Sequence, residues 1–293
     1  MVKVPTQQKY RIQGQPMVDV PVPHIFQLGN FPNDPDVFRL TNDIFDFVNM
    51  EYKDNRYVVL DVSRLNENEP VGHSNIYRRG AVQRALREMG INEFQLLNPV
   101  DSEKALKAGK LPNVGSTYED LAVVVYSTEG ANAQLAQHLA DQAKGRGGVK
   151  FPLVIYGFET VKDGSFSGGL RLDLSDRAIA YHVPILSEET GRFDASDPEL
   201  VKTGFPGKLG DGSRTLYTAK GGLRRVGRGG DLDLDADGDS LPGSNEAGRV
   251  SLVRGEASQN LEARVVELNA ERERQRAEVD ARFAQAMQIM SGQ

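Results

Sequence analysis

Between Gly227 and Asn245 the chain reads GRGGDLDLDADGDSLPGSN, and Asp231, Asp233, Asp235, Asp237 and Asp239 recur there at every second position. Carboxylates so spaced can gather a hard cation, supply an acid–base pair, or present a negative face to a basic partner. The cation reading has a partial motif behind it. Asp233, Asp235, Asp237, Gly238 and Asp239 satisfy the D-x-D-x-D-G opening of a calcium loop, in which alternate carboxylates converge and Gly allows the sharp turn. The twelfth position, however, is Ser244 where a bidentate Glu is needed, Glu246 comes two places late, and the flanks do not read as helices. Calcium held by Asp233, Asp235, Asp237 and Asp239 therefore stands as an alternative, and no other cofactor is expected.

Gly227–Gly230 resembles a glycine-rich phosphate cradle, but alternating Asp and Leu follow it in place of a helix start, so the N–H groups and dipole that hold a phosphate are missing. Catalytic signals are sparse. His24, His73, His138 and His182 are isolated in sequence, no G-x-S-x-G elbow occurs, and the absence of cysteine excludes disulfides, thiolate metal sites and cysteine nucleophiles. His138 falls in an expected helix and His182 in an expected strand. An enzyme is not expected.

The elements that must position these residues follow from apolar periodicity. Leu232, Leu234 and Ala236 alternate with the aspartates, which predicts a strand with one buried face and an outward face carrying only like charge. Residues 1–35, rich in Pro and Gln, read as an extended arm or edge strand. Ile44, Phe45, Phe47 and Val48 suggest a short helix, residues 56–62 a buried strand, and residues 78–89 an amphipathic helix with Gly90 at its C-terminal end. Strands are expected at residues 121–126 and 151–156, with an alanine-rich helix at 130–144 between them and a turn at Gly145–Gly148. From Gly157 to Gly255 the composition shifts to Gly, Asp and Ser with short apolar runs at 170–174, 179–183 and 215–217. The final segment reads as a charged helix, with apolar seams at Leu261, Val265 and Leu268 and at Val279, Phe283 and Met287, suited either to capping the domain or to packing against a second copy.

The expected class is thus α+β: an α/β region over 1–150, a domain of short antiparallel strands and long loops over 151–255, and a charged C-terminal helix over 256–293. With 293 residues there is length for two cores, and 39% hydrophobic residues mark a folded chain. The net charge of −6 disfavours general nucleic-acid binding. No signal peptide and no apolar run long enough to span a bilayer is seen, so the chain reads as soluble, with no compartment assigned.

One resemblance adds to this. Leu223–Leu232 (LRRVGRGGDL), followed by Gly248–Arg254 (GRVSLVR), resembles the C-terminal signature of C-type-lectin-like domains of the formylglycine-generating-enzyme type, in which an R-V-x-R-G-G-S-W strand precedes a closing G-F-R-l-V-R strand. Arg225, Val226, Arg228, Gly229, Gly230, Gly248, Val253 and Arg254 match; Leu232 stands where Trp is usual and Arg249-Val250 where Phe-Arg is usual. Within that superfamily the run looks most like the variable region of proteins diversified by retroelements, where mutation of adenines in Asn codons yields Asp, Ser and Gly. Gly227, Gly230, Asp231, Asp233, Asp235, Asp237, Gly238, Asp239, Ser240, Gly243, Ser244 and Asn245 fit that palette, and Leu232, Leu234, Leu241, Pro242 and Arg249 would be fixed scaffold. The resemblance implies a lectin-like domain with 223–226 and 250–253 as neighbouring strands, and a receptor-type protein that binds a protein or surface ligand, of basic character given the charge, through those twelve residues. The alternative is a structural or assembly component of a virion or cell surface that oligomerises through its C-terminal helix.

Overall fold

The computed structural model describes residues 24–28, 35–60, 73–112, 114–145 and 149–254, all within one compact unit, Met1–Arg254. The helix expected over 256–293 lies outside the described residues. Helices and strands are mixed, as expected for α+β. In chain order the elements are β1 (His24–Gln27), α1 (Pro35–Glu51), α2 (Ile76–Glu88), β2 (Phe94–Leu96), α3 (Pro99–Lys107), β3 (Tyr118–Val125), α4 (Ala133–Lys144), β4 (Leu153–Lys162), β5 (Leu170–His182), β6 (Gly191–Phe193), α5 (Leu200–Thr203), β7 (Arg214–Tyr217), β8 (Leu223–Arg228), β9 (Leu234–Gly238), β10 (Gly248–Arg249) and β11 (Ser251–Arg254). Among the described residues no helix is long and apolar enough to cross a membrane.

An eight-stranded sheet runs β5-β4-β3-β8-β9-β7-β6, with β10 beside the start of β3, and a three-stranded sheet runs β1-β11-β2. Among the described residues β3–β10 and β7–β9 pair in parallel and the remaining pairs are antiparallel. The large sheet is covered on both faces, which explains why β3 reads as an unbroken apolar run: seven of its eight residues are buried. On one face α1, α2 and α4 pack Ile44, Phe45, Val82, Leu86 and Leu139 against Val123, Val125 and Ile155. On the other, Ala122, Val124, Val226, Leu234 and Ala236 meet Phe193, Leu200 and Phe205. α2 approaches β4 at Gly80, where an added Cβ would lie 2.7 Å from the Thr160 backbone nitrogen.

Several local expectations change. The boundary expected at residue 150 falls between β3 and β4, adjacent strands of one sheet and one apolar cluster, so residues 24–150 and 151–254 do not fold as separate layers. Residues 56–58 form a turn and 59–60 are irregular, with no strand here. Val58 N–H and Val59 N–H donate to Asn55 C=O, and the Asn49 side chain holds both the N–H and C=O of Leu60 at 2.8 and 3.0 Å, so the backbone finds its partners without a neighbouring strand. The runs 170–174 and 179–183 belong to one strand, β5, bent by a bulge opposite Gly157 (φ +72°). The segments 223–226 and 250–253 are not neighbours: β8 lies in the large sheet between β3 and β9, whereas β11 lies between β1 and β2. Between the two, Gly248 and Arg249 run alongside Tyr118 and Glu119, and the Glu119 carboxylate accepts from both the N–H and the Oγ of Ser251, which directs the chain into the small sheet.

Candidate functional site

The acidic run contains the expected strand, β9, with Gly227 opposite Asp235 and Arg228 opposite Leu234 across β8. Leu234 and Ala236 are buried, so Asp235 and Asp237 take the opposite face. Two scaffold assignments differ. Leu232 is half-buried in a turn with φ +73°, and its carbonyl accepts from Arg214 Nε at 2.6 Å. Leu241 is buried, but in the cluster beneath the helices rather than with Leu234.

The aspartates do not share one surface. Asp233 turns inward and accepts from Thr215 N–H at 2.5 Å. Asp239 is exposed, 3.5 Å from Arg224 Nη1, and its carbonyl accepts from the Asn132 amide. Asp231 accepts from Asp233 N–H, and Asp231 and Asp237 are exposed, as are Ser240, Ser244 and Asn245. Among the described residues no group of three His, Asp or Glu side chains is placed to hold a metal ion, so the Asp233, Asp235, Asp237 and Asp239 set is not gathered as calcium requires. The glycines are framework: a Cβ on Gly238 would stand 2.5 Å from Arg225 Nε, one on Gly243 2.8 Å from Ser240 Oγ, and one on Gly227 3.2 Å from Glu119 O. Gly230 packs against the backbone of Gly115.

Asp235 instead lines a cavity of about 340 Å³ with Gly227, Gly243, Ser244 and Asn245. The other walls are Tyr118 and Asp120 from β3 and Arg225 and Arg228 from β8. Register explains the assembly. Asp120 faces Gly227 and Gly227 faces Asp235, so two carboxylates flank a strand position that has no side chain, their Cα atoms about 10 Å apart across two strand spacings.

The two carboxylates are provided for differently. Asp120 is buried; Ser74 Oγ donates to its Oδ2 at 3.0 Å, and Arg225 Nη1 lies 3.7 Å from its Oδ1. Burial raises its pKa, with the Arg225 and Arg79 guanidinium groups pulling the other way. Asp235 is pushed up to about 6, first by burial and then by Asp237 and Asp231, with Arg225 opposing. Arg225 also donates to Gly243 C=O at 3.2 Å and lies 5.9 Å from the Tyr118 ring centroid. Tyr118 is fixed at its hydroxyl, which donates to Ser74 C=O and accepts from Asn245 N–H, both at 3.0 Å.

Behind the cavity lies a buried ionic array. Arg79 Nη1 is 3.6 Å from Glu119, Arg228 donates to Ser102 Oγ at 2.6 Å, and Glu103 pairs with Arg214. These groups tie β3 and β8 to α2 and α3. None of the described histidine side chains lines it: His138 contacts Asp173 at 2.9 Å, and His182 Nδ1 lies 3.1 Å from Pro152 C=O.

Five of the twelve expected binding residues thus meet at one cavity, while Tyr118, Asp120, Arg225 and Arg228 join it through strand pairing that no local pattern announces. The arrangement places one carboxylate without a partner among the described residues, Asp235, beside a held Asp120–Arg225 pair, which suits binding of a cationic or hydrogen-bonding group. No protein-family model, no curated protein and no solved structure matches this chain.

Proposed function

We propose that this chain is a ligand-binding protein that presents the acidic run 231–245 around a cavity lined by Asp120, Asp235, Arg225 and Arg228, on a rigid scaffold, with a basic protein or surface as its partner. The observation that carries this reading is the division of labour within one short segment. Leu234, Ala236 and Leu241 are buried, whereas Asp231, Asp237, Asp239, Ser240, Ser244 and Asn245 are exposed and Asp235 opens into the cavity. Exposed positions can change without disturbing the core, and surface substitutions of this kind usually alter stability by no more than about 0.5 kcal/mol. The lectin-like, retroelement-diversified assignment belongs to this proposal and rests on the sequence motifs at Leu223–Leu232 and Gly248–Arg254 and on the Asp, Ser, Gly and Asn palette, while the strand pairing those motifs imply is not the one β8 and β11 adopt. Within it, Gly227, Gly238 and Gly243 are frame rather than display.

Two measurements test the reading. A labelled nona-arginine peptide should associate with the full chain, more weakly as salt rises and more weakly again in Asp237→Asn/Asp239→Asn. Equal, salt-insensitive signals from the parent and the double variant would reject it. Sequencing the 223–254 coding segment across natural isolates should show changes concentrated at the exposed positions; uniform change across buried and exposed codons would reject diversification.

A further inference from the structure

The charges lining the cavity are not balanced locally. Arg225 is set against Asp120, which also has Ser74 and the approach of Arg79. The Asp235 carboxylate makes no hydrogen bond or ion pair with any other described residue, although it is half-buried and lines the cavity. The groups around it are Asp231, Asp233 and Asp237 from its own segment, Asp120 and Tyr118 on β3, Arg225 and Arg228 on β8, and Tyr217, its register partner on β7. Arg228 is directed away, to Ser102 and the buried Glu119 and Glu103. Asp237, Asp231 and Asp233 outweigh the opposing Arg225 at this carboxylate, and a partly desolvated carboxylate in that setting is costly unless a further cation answers it. Gly227 lines the cavity beside it, and the volume falls in the range of small-ligand sites.

We propose that this cavity is a subsite for one cationic group, a guanidinium or primary ammonium, bound by Asp235, with the Arg225–Asp120 pair and Tyr118 forming its fixed wall. It deepens the binding reading given above and rests on it. The favoured source is an Arg or Lys side chain of the partner; a free polyamine has the same chemistry. Binding requires ionised Asp235, so it should strengthen as pH rises through about 6 and fade below it.

Isothermal titration of the full chain at pH 7.5 with Nα-acetyl-argininamide, spermidine and the uncharged Nα-acetyl-citrullinamide decides the matter. The expected result is saturable one-to-one binding of a cation and none of the citrulline compound. That binding should fall at least about tenfold in Asp235→Asn, which keeps the side-chain size, and stay unchanged in Glu189→Gln, an exposed carboxylate paired with Lys220 elsewhere. A tenfold preference for argininamide assigns the subsite to a protein side chain, and the reverse preference assigns it to a polyamine. Binding of neither cation, or cation binding that Asp235→Asn leaves intact, overturns the proposal. If nona-arginine association then still responds to Asp237→Asn/Asp239→Asn, the display reading survives while the subsite fails.

Discussion

Arg214 donates two hydrogen bonds of 2.7 Å to the two carboxylate oxygens of Glu103, and both side chains are at most 5% exposed. The pair ties β7 to α3, and the third guanidinium contact, to Leu232 C=O, holds the turn that leads into β9. A buried bidentate pair is costly to break because the surviving charge has nowhere to go. Glu103→Ala should cost about 3–5 kcal/mol, read from the urea midpoint at constant m-value. The combined replacement Glu103→Leu/Arg214→Met should cost less than Glu103→Ala alone; a larger loss would show that the pair itself is a major source of stability.

Packing between α2 and β4 sets a second test. Gly80 lies where α2 crosses Thr160, whose Oγ1 donates to Tyr77 C=O at 2.8 Å. Any side chain there must push helix from sheet. Gly80→Val should destabilise by more than about 3 kcal/mol, beyond the usual range for an overpacked core. Retention of the parent melting temperature would mean that α2 does not sit this close to the sheet.

The acidic strand supplies a paired contrast. Leu234→Asp removes burial worth about 1.5–3 kcal/mol and places a charge against Phe193 and Phe205, so the variant should fold poorly or not at all. Asp237→Ser should leave the melting temperature nearly unchanged or slightly raised, because it relieves repulsion on Asp235. If the order of sensitivity were reversed in thermal melts, the aspartates would be structural and the display reading would fall.

How far the chain could be read before its structure was known depends on how local each feature is. α2, β3, α4 and β9 are announced by periodicity within their own residues, since each buries a stripe or a face that the period reveals. α3 carried a readable signal, Asn98 as cap with Pro99 at the first turn, but its short apolar face was not distinctive. Residues 56–60 read as a strand because Val58 and Leu60 are buried as strand residues would be, whereas their backbone partners come from Asn55 and Asn49. Separation of β8 from β11 depends on Glu119 gripping Ser251, a contact with no sequence period at all. The candidate site divides in the same way. Alternation marks Asp235, whereas Asp120, Tyr118 and Arg225 meet it only through the register of three strands.

Calcium offers a fourth test, because a ligand that binds only the folded state raises its melting temperature by mass action. Two of the four candidate ligands are already engaged, Asp233 by Thr215 N–H and Asp239 beside Arg224, and no three of the described carboxylates gather as a metal site. Millimolar calcium should therefore leave the melting temperature unchanged, and removal with a chelator should do the same. A clear upward shift that Asp233→Ala abolishes would restore the calcium reading.

The pH dependence of stability isolates Asp235. Its carboxyl is raised from 3.8 to about 6 by burial and by Asp237 and Asp231, so the folded chain holds this proton more tightly than the unfolded chain does. Stability from this group is therefore fully present below about pH 4 and is lost as pH rises through about 6. Two pKa steps correspond to about 2.7 kcal/mol, but the side chain is only half-buried, and solvent screening reduces the expected effect to about 1 kcal/mol. Asp235→Asn should accordingly match the parent near pH 4 and be more stable by about 1 kcal/mol at pH 7.5, with the difference opening between about pH 4 and pH 6. Urea titrations across that range measure it directly. A constant difference at every pH would mean that the asparagine acts through packing, and a less stable variant at pH 7.5 would mean that a cation already satisfies the carboxylate in the free chain.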